Sequence, residues 1–73
     1  MRATMKYAIV IERGPTSYGA TVPDLPGCVA VGDSLGAVQR LIREAIDEHV
    51  AFLRDDGQPV PAPVTQVEYV DVA

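Results

Sequence analysis

One stretch of this chain constrains its fold more than any other. From Leu35 onward, apolar residues recur at helical spacing as Leu35, Val38, Leu41, Ile42, Ala45, Ile46, Val50 and Leu53. The other face holds Gln39, Arg40, Arg43, Glu44, Asp47, Glu48, Arg54 and Asp55, so the pattern predicts one amphipathic helix. Asp33 or Ser34 offers a side-chain oxygen to the free amides of the helix start. Gly57 suits a left-handed C-terminal cap, and Pro59 prevents continuation. Gly36, in the first turn, weakens it by roughly 1 kcal/mol relative to alanine. A helix with one apolar stripe has to bury that stripe against another element of the chain.

The rest of the sequence reads as strands. Residues 6–12, KYAIVIE, are rich in β-branched side chains and run into the turn-forming group RGPTS. Residues 18–22, YGATV, read as a second strand, antiparallel to the first because the connection is short. Cys28, Val29, Ala30 and Val31 form a short third strand ended by Gly32. After the helix, Val60-Pro61-Ala62-Pro63 is a stiff extended connector, and residues 65–70, TQVEYV, are predicted as a last strand. The order strand, strand, strand, helix, strand predicts an α+β fold of two layers, an antiparallel sheet of about four strands with one long helix on one face.

Between the second and third strands lies Val22-Pro23-Asp24-Leu25-Pro26-Gly27-Cys28. Pro23 and Pro26 lack amide donors and bracket a break in the ladder. Asp24 can tie down nearby amides, and Gly27 gives the turn a positive φ. The stretch is therefore read as a structural corner, with contact to a partner as a second role.

With 73 residues the chain is read as a single domain, residues 1–73. A domain this small usually needs reinforcement from disulfides, metal or association. Its one cysteine forms no internal disulfide, and Cys28 with the lone His49 falls short of a zinc ligand set. Association remains, and a homodimer is the favoured form. The net charge of −4 argues against direct nucleic-acid binding and suits a basic protein partner. No apolar run approaches the roughly 20 residues that span a bilayer, and the N-terminus lacks the ordered features of a signal peptide, so no membrane association and a cytoplasmic location are expected.

No catalytic constellation emerges. A nucleophilic cysteine needs a base and an electropositive setting, and Cys28 reads instead as a small packing residue. His49, on or beside the apolar stripe, reads as a packed or interface imidazole. Two-metal nuclease sites need converging carboxylates, yet the first strand has Ile9, Val10 and Ile11 at its centre with Glu12 at its edge. There is no phosphate loop or dinucleotide fingerprint. Neither catalysis, metal nor cofactor is expected.

Taken together, the tyrosine-led first strand, YGATV, PDLPGC, the GDS of Gly32, Asp33 and Ser34 opening a helix, and DGQPVPAP after it resemble the HicB antitoxin family. The resemblance runs from about Lys6 to Tyr69. It implies a partly degenerate ribonuclease H-like fold without that enzyme's carboxylates. It also implies neutralisation of HicA, a small basic RNA-cleaving toxin, by covering its active site. Many such antitoxins carry a further C-terminal DNA-binding domain; this chain ends at its fourth strand, so direct DNA binding is not expected. In this reading Asp47, Glu48 and Asp55 contact the partner if the acidic helix face is used, and Tyr18, Asp24 and Leu25 if the loop anchors it. Pro23, Pro26, Gly27, Cys28, Gly32 and Asp33 form the structural motif. The alternatives are a stand-alone homo-oligomeric regulatory domain without a toxin and, third, a relict nuclease.

Overall fold

A computed structural model describes residues 4–73 and shows three antiparallel strands followed by one long helix. Strand β1, Val10–Arg13, pairs with β2, Tyr18–Thr21, which pairs with β3, Val29–Gly32, in the order β1-β2-β3. The register aligns Val10, Thr21 and Val29 in one row and Ile11, Ala20 and Ala30 in the next. Because strand side chains alternate, the Ile11 row faces the helix while Val10, Val29 and Val31 stand on the outer face. The exposure agrees: Ala20 is buried, whereas Val29 and Val31 are exposed.

Helix α1, Leu35–Asp55, is capped at both ends as the sequence requires. Ser34, not Asp33, is the N-cap; its hydroxyl accepts from the Ala37 amide at 3.1 Å, and its carbonyl accepts from the Val38 amide. At the other end the Gln58 amide donates to the Leu53 carbonyl and the Gly57 amide to that of Arg54. With Gly57 at φ +70, this is the Schellman arrangement, which satisfies the last helical carbonyls. The helix buries Val38, Ile42 and Val50 against Ala20, Val22, Leu25 and Cys28. Leu35 is exposed, one turn ahead of the buried stripe. The helix lies over β3 and β2, and none of its Cα atoms comes within 8 Å of β1.

Two elements differ from the sequence expectation. The first strand begins at Val10, not Lys6. In the observed register, continuing the ladder would set Ile9 against Val22 and Ala8 against Pro23, where the chain already turns and an amide is missing. The predicted last strand, residues 65–70, carries no ladder pairing among the described residues. It is exposed, and it contributes to a radius of gyration of 13.9 Å, against about 11 Å for a compact domain of this length.

Candidate protein-binding surface

The corner between β2 and β3 is built from two consecutive turns, each led by a proline. The Leu25 amide donates to the Val22 carbonyl and the Cys28 amide to the Leu25 carbonyl, both at 3.0 Å. Pro23 and Pro26 thus each occupy the second position of a turn, where a fixed φ near −65° is favourable. Gly27 sits third in its turn with φ +85, the value a type II turn needs and a side chain resists. The double turn points Leu25 into the protein, where it is fully buried, and leaves Asp24 on the surface.

Asp24 has an unexpected set of partners. Its carboxylate accepts from the Val64 amide at 3.1 Å, the Thr65 amide at 3.0 Å and the Thr65 hydroxyl at 2.8 Å. The sequence suggested local amides; the observed ones lie 40 and 41 residues away. The Thr65 amide, its hydroxyl and then the Val64 amide hold the Asp24 pKa below its ordinary value, with partial burial opposing them. A second tie lies close by, where the Tyr7 hydroxyl donates to the Pro61 carbonyl at 2.6 Å. The corner therefore fastens the segment that follows the helix.

The residues singled out for partner contact do not share one surface. Leu25 is in the core, Asp24 is engaged by Val64 and Thr65, and Tyr18 is half-buried against the core. The acidic helix residues divide between two flanks. Glu44, Glu48 and Asp55 follow one line along α1 by their i, i+4 and i+11 spacing, and Phe52 lies on the same line. Asp47 faces the other flank with Arg43 and Arg54, beside Met5 and Tyr7.

On the first flank, Glu48, His49 and Phe52 border a shallow depression with Gly27, Cys28 and Val29. Sequence reasoning passed over Phe52, the chain's only phenylalanine, because it falls off the buried stripe. It is 61% exposed beside Val29 at 59%. An apolar centre with a carboxylate rim has the make-up of a protein contact surface.

The same depression brings Cys28 and His49 to one place, yet the geometry is not that of a nucleophile. Cys28 is buried, and burial pushes its thiol pKa up, which disfavours the reactive thiolate. Among the described residues no group of three or more His, Cys, Asp or Glu is placed to hold a metal ion. No helix among them is long and apolar enough to cross a membrane.

The chain has relatives among known proteins. An uncharacterized 14.9 kDa protein from the rep–hol intergenic region of Haemophilus phage HP1 (strain HP1c1) is 34% identical over 73 residues, covering 92% of this chain. A UPF0150 protein of Archaeoglobus fulgidus is 34% identical over 67 residues, covering 88%. The chain spans 55% of the phage protein's length and 97% of the archaeal one's. The family model that describes a HicB-like antitoxin of bacterial toxin–antitoxin systems matches residues 7–72. With nearly all the chain inside that match, including the double-proline corner, the helix and the segment Asp24 holds, the chain belongs to the HicB-like antitoxin family.

Proposed function

We propose that this domain is a non-catalytic inhibitor that neutralises a small, basic, RNA-cleaving toxin of the HicA type by covering its active site. The observation that carries the reading is the family match over residues 7–72, which implies a toxin as partner. The net charge of −4 supplies its direction, since it favours encounter with a basic protein. The antiparallel meander followed by a helix supports a ribonuclease H-like ancestry. Glu12, expected at the edge of the first strand, lies within β1 but is exposed on the outer face, away from the helix, which supports the loss of that enzyme's carboxylates. A cytoplasmic setting follows from the proposed partner.

The contact falls on the flank of α1 that carries Glu44, Glu48 and Asp55 around Phe52 and Val29. Here the rim carboxylates steer association and the two apolar side chains hold the complex. The test is to co-express the chain with the product of a short, basic neighbouring reading frame and to measure growth and pull-down. Binding that rescues growth is expected. Glu48→Lys with Asp55→Lys should slow association and flatten its salt dependence, while Phe52→Ala should raise the dissociation rate. Absence of both binding and rescue, with both proteins folded, would refute the reading.

A further inference from the structure

The sheet has two outer strands, β1 and β3, and their surroundings differ in charge. We infer that a basic partner docks by strand addition at the β3 edge, pairing an extended segment of alternating basic and apolar residues with Val29–Gly32 below the acidic flank of α1. This mode of docking rests on the toxin contact proposed above and gives that contact a backbone geometry.

Strand β3 pairs with β2 on one side and has no strand on the other among the described residues. Residues of an antiparallel strand alternate between facing their neighbour and facing away, so β3 directs part of its N–H and C=O groups outward. Proteins usually blunt such an edge with a charge, a proline or a bulge. β3 has none of these. Its residues are Val29, Ala30, Val31 and Gly32, and its register with β2 runs unbroken. Val29 and Val31 are exposed on the outer face beside that edge.

The flank of α1 that carries Glu44, Glu48, Phe52 and Asp55 lies along the same side. Glu48, His49 and Phe52 share a depression of about 290 Å³ with Cys28 and Val29, so the helix flank and the start of β3 form one surface. An added strand would alternate its side chains between two settings. One set would face the helix flank, with aliphatic stems across Phe52 and cationic ends at Glu44 and Glu48. The other set would lie beside Val29 and Val31. Together they select a segment that alternates lysine or arginine with apolar residues.

Charge decides between occupants. Glu44, Glu48 and Asp55, with Asp33 just past the end of β3, stand against Arg40 as the base on that line of the helix. The chain's own strand-like residues 66–72 carry Glu68 and Asp71 and no base, so at this edge they would meet like charge. The balance reverses at β1, where Lys6, Arg13, Arg43 and Arg54 stand against Glu12 and Asp47. A basic strand is therefore favoured at β3 and disfavoured at β1.

The probe is an acetylated, amidated heptapeptide of alternating lysine and valine, titrated into the 15N-labelled full chain. Two controls accompany it: a glutamate–valine heptapeptide, and the lysine–valine peptide with N-methylated backbone, which keeps its side chains and loses its pairing amides. Chemical-shift changes centred on residues 28–32, Glu48 and Phe52 are expected, with slowed amide exchange at alternate residues of β3. Both controls should bind at least about tenfold more weakly. Equal binding by either control, shifts centred on residues 6–13, or no binding of the lysine–valine peptide would each overturn strand addition at β3. A toxin complex in which the β3 amides exchange as in the free protein would overturn it too, while leaving the toxin contact standing. Conversely, a lysine–valine peptide that docks at β3 when the toxin does not bind would support the strand site and refute the toxin as its occupant.

Discussion

Gly32→Ala tests the junction on which the two layers depend. Gly32 closes β3 and is buried beneath the first turn of α1. A Cβ placed there would lie 2.7 Å from the Val38 amide nitrogen, 3.0 Å from its Cα and 3.1 Å from the Ala37 carbonyl carbon. All three are backbone atoms, so no side-chain rotation relieves the overlap. The helix start would have to retreat by about 0.7 Å to restore ordinary van der Waals contact. It is also tethered, since the Ser34 carbonyl and hydroxyl accept from the Val38 and Ala37 amides. Overpacking of this kind costs about 1–3 kcal/mol, and loosening the cap adds a share of the roughly 1 kcal/mol an N-cap contributes. We expect a loss of about 2–3 kcal/mol, or a fall in Tm of about 10–20 °C for a domain of this size. Gly19→Ala is the control. Gly19 sits in the central strand with nothing within 4 Å of an added Cβ and without a positive φ, so alanine there should be neutral or stabilising by up to about 1 kcal/mol. Urea denaturation followed by far-UV circular dichroism, at matched protein concentration, compares the two. Equal stabilities within about 0.5 kcal/mol would refute the close-approach argument.

Further outcomes follow from the corner and the core. Asp24 is clasped in its charged form, so its folded pKa lies below the ordinary value of 3.8; the clasp is complete above that value and is lost as pH falls through the lowered one. Limited proteolysis after residue 65 should therefore accelerate in Asp24→Ala at neutral pH and in the wild type only under strong acid, and equal cleavage of variant and wild type at pH 7 would count against it. Leu25→Ala empties a fully buried site and should cost about 2–5 kcal/mol, whereas Val31→Ala, at a residue 66% exposed, should stay within about 0.5 kcal/mol; thermal denaturation that failed to rank them so would displace Leu25 from the core. Cys28 should react with a thiol reagent far more slowly in the native protein than in urea, because its thiol is buried with a raised pKa. Native reactivity matching that of a free thiol would reopen a chemical role.

Local chemistry made much of this molecule readable from its sequence. The spacing of Val38, Ile42 and Val50 fixes which face of α1 is buried, because helix periodicity is a property of the backbone. Pro23, Pro26 and Gly27 dictate a broken ladder and a positive φ, and Gly57 before Pro59 dictates where the helix stops, since each residue restricts only its own and its neighbours' dihedral angles. The tertiary structure decided what depends on distance. Thr65 and Val64 became the partners of Asp24 although some 40 residues separate them, and no local rule could choose them over nearer amides. The turn at Pro23 shortened β1 through its partner strand, so the limit on residues 6–9 is written in β2 and the corner that follows it. Residues 65–70 have the composition of a strand, yet a strand also requires a paired edge, and they carry no ladder pairing among the described residues. Likewise Asp47 and Glu48 are adjacent in sequence but lie on different flanks of α1, because about 100° of helical rotation separates consecutive residues.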